Sequence, residues 1–199
     1  MARKAAAAER NGGGTATRIL DSAERLAQVR GFNGFSYADV AAEVGITKAS
    51  LYYHFRGKAD LGDALMARYA DRFRAALAAI DADAQDAPAR LERYAQLYAD
   101  VLHGDRMCLC GMLAAEYLTL PEPLRNAVTA FFDDNEAWLE RVLDEGRRDS
   151  SLRFDGPARD AARSIVSGLE GALLLARSYG DGGRFDAAAR RLLDGLIAS

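Results

Sequence analysis

The chain has 199 residues, half of them hydrophobic, and a formal net charge of only −3. So much apolar material supports one large core or two smaller ones and excludes a disordered chain. So little charge excludes a uniformly basic nucleic-acid binder, and no apolar run nears the roughly 18 residues a membrane span needs.

The N-terminal "MARKAAAAERNGGG" starts basic, but Glu9 and Arg10 break its alanine run, so it is no signal-peptide core. The Gly12–Gly14 run predicts a disordered arm over residues 1–14. Only two cysteines occur, Cys108 and Cys110, without CxxC or Cys/His finger spacing, which predicts a reduced, cytoplasmic protein with no metal site. No cofactor is expected. Residues 1–60 hold nine Lys/Arg against six Asp/Glu, whereas the remainder holds 17 against 23. A mildly basic front on an acidic body fits a front that meets a polyanion.

No stretch alternates with β-branched enrichment, so an all-α fold is expected. A first helix runs from Thr15 to about Val29, with Ile19, Leu20, Ala23, Leu26 and Ala27 on one face and Gly31 as its cap. Ser36 with Asp39 three residues on approximates a capping box, and Phe35 and Val40 hold the two hydrophobic-staple positions. The helix "YADVAAEV" stops at Gly45, and the turn Gly45-Ile46-Thr47 opens a third helix over 48–55. Two short helices joined by a tight turn with glycine make a helix-turn-helix.

At about 100° per residue, Leu51 and Phe55 share the inward side of that third helix with Ile46 from the turn. Ala49 and Tyr53 fall opposite them, Ser50 and Tyr52 flank the outward face, and His54 lies toward its edge. Thr47 and Lys48 sit at its exposed start. A lysine, hydroxyls, a small alanine and rings with polar tips suit a major groove and its phosphates. Lys58 adds a charge nearby.

"FSYADVAAEVGITKASLYYHFRGKADL" resembles the DNA-binding domain of the tetracycline-repressor-like (TetR) family of bacterial transcription regulators. Gly45, Ile46, Leu51, Tyr52, His54, Phe55, Lys58 and Leu61 match the family pattern G-(V/I)-x-x-x-x-(L/I)-Y-x-(H/Y)-F-x-x-K-x-x-L. The resemblance covers residues 15–65, about a quarter of the chain. It implies base or phosphate contacts from Thr47, Lys48, Ser50, Tyr52, Tyr53 and His54, and phosphate contacts from Lys58, Ser36 and Tyr37. It also implies a helical ligand-binding and dimerisation domain behind the front, an operator DNA partner and an unidentified small-molecule effector.

The expected organisation is an arm over 1–14, a helix-turn-helix domain over 15–60 and an effector-binding and dimerisation domain over 61–199. In that body Leu61, Leu65, Tyr69, Phe73 and Leu77 recur every four residues. Further helices are expected near 87–103, 108–119, 122–148, 157–179 and 185–198.

Ser164, Gly168, Ala172 and Ala176 form a line of small residues beside Leu169 and Leu173, which predicts close helix approach in a homodimer. The last helix, with Leu192 and Leu196, completes the intersubunit four-helix bundle that the resemblance implies. Phe73, Tyr94, Tyr98, Cys108, Met112 and Trp138 are the candidate lining of an apolar effector pocket. Cysteines two apart on one helix would point in different directions, which opposes a bridge between them. Three readings compete for Cys108 and Cys110: buried apolar residues, metal ligands with His103, and an electrophile or oxidation sensor activated by His103 or Arg106. An enzyme with His103 as base lacks a marked third partner.

Overall fold

The computed structural model describes residues 2–197, with side chains from Gly14 onward. Nine α-helices follow in order among the described residues: α1 Ala2–Arg30, α2 Tyr37–Val44, α3 Lys48–His54, α4 Lys58–Asp83, α5 Ala87–His103, α6 Leu109–Ala115, α7 Glu122–Arg148, α8 Ala158–Tyr179 and α9 Gly182–Asp194. A 3-10 turn, Tyr117–Thr119, follows α6. Among the described residues the only strand-like pairing is one bridge between Leu152 and Ile197. The first helix, expected from Thr15 after a disordered arm over 1–14, already runs from Ala2, and side chains are described only from Gly14.

Local chemistry explains the front. Ser36 accepts the Asp39 amide, and the Asp39 carboxylate accepts the Ser36 amide at 2.7 Å, so both halves of the capping box form. Gly45 ends α2 in the left-handed conformation at φ +73°, which a side chain would strain, and lets Ile46 N donate to Ala41 O at 3.0 Å. Ile19, Ala23, Leu26, Val40, Val44 and Leu51 close a core between α1, α2 and α3.

The domain boundary expected at residue 60 falls inside the first turn of α4. That helix runs unbroken from front to body, burying Leu61, Leu65, Tyr69 and Leu77 in turn, with Phe73 half-buried. In the body, α8 packs most extensively on α9 and α7, and α4 lies along α7. The expected 108–119 helix divides: Cys108 stands before α6 as its cap, and the chain tightens into the 3-10 turn after Glu116. The last helix starts earlier than expected, because Asp181 accepts the Gly183 amide at 3.0 Å and caps two otherwise helix-averse glycines. No helix among the described residues is long and apolar enough to cross a membrane.

One buried charge ties front to body. Glu24 of α1 is only 7% exposed, and its carboxylate takes Arg68 at 2.9 Å and also Arg72, both from α4. By contrast, the Arg25–Glu43 pair between α1 and α2 is open to solvent. Removing one member of a buried pair strands its partners, so Glu24→Ala is expected to lower the unfolding free energy by about 3 kcal/mol. Glu43→Ala is expected to cost under about 1 kcal/mol. Urea denaturation of both variants checks the difference.

Candidate nucleic-acid interface

The third helix, α3, is held from three sides. Thr47 Oγ1 accepts the Ser50 amide at 3.1 Å and caps its start. Leu51 is fully buried and Phe55 is 8% exposed, so the inward side is as the periodicity requires. At its end, the Tyr37 hydroxyl donates to Phe55 O at 3.1 Å, and the Tyr37 ring lies 4.9 Å from that of Tyr52. Lys58 closes the far side: Nζ donates to Phe35 O and stands 4.4 Å from the Phe35 ring and 4.9 Å from the Phe32 ring.

The opposite face is open. Thr47, Lys48 and Ala49 are exposed, Ser50 is half-buried, and Tyr52 and Tyr53 are 53% and 86% exposed. His54 is half-buried, with its ring edge-on to Tyr53 at 5.5 Å. Six of the expected contact residues therefore share one surface. It offers an ammonium, several hydroxyls and two polar-tipped rings around a small alanine.

Three expected contacts already have partners within the chain. Tyr37 is buried, its hydroxyl is engaged by Phe55, and burial, aided by the charges of Asp60 and Tyr52, pushes its pKa up to about 12. It clamps the helix from behind. The Lys58 ammonium is committed to Phe35 O and two ring faces, and partial burial lowers its pKa against the pull of Glu116 and Asp39. The Ser36 hydroxyl is exposed but occupied by its cap, donating to Asp39 at 2.6 Å. Composition gave no warning of these roles, because the acceptors are backbone carbonyls and a neighbouring carboxylate.

Two features escaped the sequence. Arg56 is exposed just past α3, adding a second cation to this surface. Glu116, at the end of α6, reaches across to the loop between α1 and α2. Its carboxylate accepts Phe32 N at 2.7 Å and Asn33 N at 3.2 Å, while Asn33 Nδ2 donates to Thr119 Oγ1 at 2.7 Å. Gly31, at φ +84°, makes room: a methyl group there would lie 2.6 Å from Glu116 Oε1. No local pattern marks such a brace, because its partners lie 84 positions away.

The residues expected to line an effector pocket are mostly packed together. Phe73 lies 6.2 Å from Tyr94 and 6.4 Å from Tyr98, Tyr94 stacks on Trp138 at 5.5 Å, and the two tyrosine hydroxyls meet at 3.2 Å. Asn135, 1% exposed, accepts from Tyr94 at 3.0 Å and completes a satisfied polar centre. Met112 is half-buried against this core. Of the six, Phe73 borders a cleft of about 200 Å³ between α1, α4 and α5.

Cys108 and Cys110 are both buried. Cys108 lies outside the helix, so the opposed directions expected of two helical cysteines do not apply. The Tyr69 hydroxyl donates to Cys108 Sγ at 3.8 Å, and Cys110 Sγ lies 3.7 Å from Met66 Sδ. Hydrogen bonds from Cys110, Glu170 and the Gly111 amide hold the Cys108 thiol below its ordinary pKa, while burial pushes Cys110 up. Burial likewise raises the Glu170 carboxyl. Among the described residues no hydrogen bond joins His103 to either thiol, and no group of three His, Cys, Asp or Glu converges as a metal site would.

The expected dimer stripe splits. Leu169, Ala172, Leu173 and Ala176 are buried inside their own chain, because α7 and α9 both pack on that side of α8. Ser164 and Gly168 are exposed, and Leu192 and Leu196 are half-buried, with Leu192 lying over Gly168. The open apolar face of α8 lies instead at Leu174, Leu175 and Tyr179, which are 57%, 58% and 65% exposed.

Residues 19–65 match the family described as bacterial regulatory proteins, tetR family, and residues 87–192 match the tetracyclin repressor-like C-terminal domain. The transcriptional repressor NemR of Escherichia coli strain K12 is 29% identical over 170 residues, covering 82% of this chain and 84% of that protein. The transcriptional regulator AcuR of Cereibacter sphaeroides is 28% identical over 152 residues, covering 74% and 69%. A TetR-family regulator from Agrobacterium tumefaciens superposes with a TM-score of 0.91 at 33% identity, covering 94% of this chain and all of that one. A helix-turn-helix with an open face, a helical body and both matching halves lead to one conclusion: the chain belongs to the TetR family and is a DNA-binding transcriptional regulator.

Proposed function

We propose that this regulator is a homodimeric repressor whose two α3 helices read successive half-sites of an operator, and that a small-molecule effector releases it. The observation that carries the reading is the open face of α3, with Tyr53 86% exposed above a fully buried Leu51. Large side chains presented to solvent on a helix clamped at both ends are prepared for a partner at little entropic cost. Lys48 and Arg56 supply cations for phosphates, and Ser50 and Ala49 allow close approach to base edges.

A single seven-residue helix offers too few contacts for specific operator affinity, so a second copy is needed. The face of α8 at Leu174, Leu175 and Tyr179 supports that pairing, since large apolar groups side by side in solvent mark an interaction surface. NemR, a repressor by name, supports the direction of control. Release follows as a population shift: an effector that favours one arrangement of the body draws α4 and the Glu116 brace with it, and the two α3 helices no longer match the grooves.

Gel shifts with DNA from upstream of the gene test the reading; absence of binding to any palindrome there at low salt would sink it. Lys48→Ala is expected to weaken binding about tenfold and to flatten the salt dependence by about one charge. Leu175→Asp is expected to yield monomers by light scattering and to abolish tight operator binding while the far-UV spectrum stays helical. A variant that remains dimeric would exclude the α8 face as the interface.

A further inference from the structure

The cleft bordered by Phe73 lies where front meets body. One wall is α1, which carries Glu24 and Gln28; the other is mostly apolar, from Tyr69, Phe73 and Ala76 of α4 with Leu97 and Val101 of α5, and Arg72 of α4 also lines it. Arg106, in the loop after α5, stands at its edge. Its volume, about 200 Å³, suits a single substituted ring.

Two polar groups in this lining lack partners. Gln28 is 2% exposed, and its side-chain Oε1 is buried with no hydrogen-bond partner. A buried amide oxygen left unpaired has given up its water for nothing in return, so a donor brought to it is favoured. The terminal torsion of glutamine is soft, so a small swing brings that oxygen to an incoming donor. Arg106 is half-buried, and among the described residues no carboxylate pairs with it. The other lining charges, Glu24 and Arg72, pair with each other, and Arg68 behind them is also held by Asp21. The cleft thus has apolar residues on α4 and α5, one cation without a carboxylate partner among the described residues, and one unmet acceptor.

We propose that this cleft binds a small hydroxylated aromatic carboxylate. Its carboxylate pairs with the Arg106 guanidinium, its ring lies on Phe73, Leu97 and Val101, and its hydroxyl donates to Gln28 Oε1. Such a ligand would touch α1 of the front and α4 and α5 of the body at once, so its occupancy fixes their relative position and changes operator affinity. That last step rests on the reading of the chain as an operator-binding repressor; the binding site itself does not.

Calorimetric titration of the full chain with the three hydroxybenzoate isomers tests the site, with benzoate and hydroxybenzyl alcohol as ligands lacking one group each. At least one isomer is expected to bind, and removal of either group to weaken it about tenfold. Arg106→Gln is expected to weaken every carboxylate about tenfold and leave the alcohol unchanged. Gln28→Leu is expected to erase the preference for hydroxybenzoate over benzoate while benzoate affinity persists, which also reports an intact fold. Ala76→Trp is expected to fill the cleft and abolish binding. No heat with any isomer, or affinities indifferent to Arg106 and Gln28, overturns the site. Binding as expected with no change in a gel shift overturns the regulatory step alone. A chain that binds the ligand but no DNA refutes the operator reading and leaves the site standing.

Discussion

A seven-residue helix cannot persist in water by its own hydrogen bonds, since nucleation costs more than so few turns return. The surface proposed to meet DNA is nevertheless carried largely on such a helix. The clamps around α3 are therefore the condition for its function. Leu51 and Phe55 anchor it from below, Tyr37 holds the Phe55 carbonyl just past its end, and Lys58 ties the next helix to the loop before α2. Tyr37 and Lys58 work by satisfying backbone carbonyls at the points where the chain leaves regular structure. Their reward is a surface ordered before any partner arrives.

The junction behind this surface is more polar than either core. Glu116 gives its carboxylate to the amides of Phe32 and Asn33, and Glu24 gives its own to two arginines of α4. Apolar packing grades smoothly with displacement, whereas charge-assisted hydrogen bonds are directional and are made or lost over a short distance. A front joined to its body through such contacts changes position in steps. That suits a regulator with two working arrangements, and it places the sensitive contacts on α1, α4 and α6 and away from the aromatic centre of the body.

Much of the fold was legible because its causes are local. Ser36 with Asp39, Gly45 and Thr47 announce helix ends through chemistry confined to a few residues, and the inward and outward sides of α3 follow from helical geometry alone. Where the reading departed, the cause was distant in sequence. Tyr37 and Lys58 are polar residues beside an exposed helix, and only the fold brings Phe55 O and Phe35 O to them. The stripe at Leu169, Ala172, Leu173 and Ala176 has the character of an interface, yet α7 and α9 take that side of α8 and leave Leu174, Leu175 and Tyr179 outside. Periodicity shows that a helix has an apolar face; it cannot show whose surface covers it. The rings around Tyr94 likewise carry no mark distinguishing a pocket from a filled core, and here they pack on one another.

The span of the Glu116 brace also bears on how the protein is made. Phe32 and its partner are 84 positions apart, so the loop between α1 and α2 leaves the ribosome well before the carboxylate that will hold it. At a synthesis rate of about 5–20 residues per second, those amides wait on water for roughly 4–17 s. The front of the chain is synthesised first and finished late. Until α6 has emerged and docked, a nascent chain displays α3 on a front that is held to α4 but still lacks the Glu116 brace.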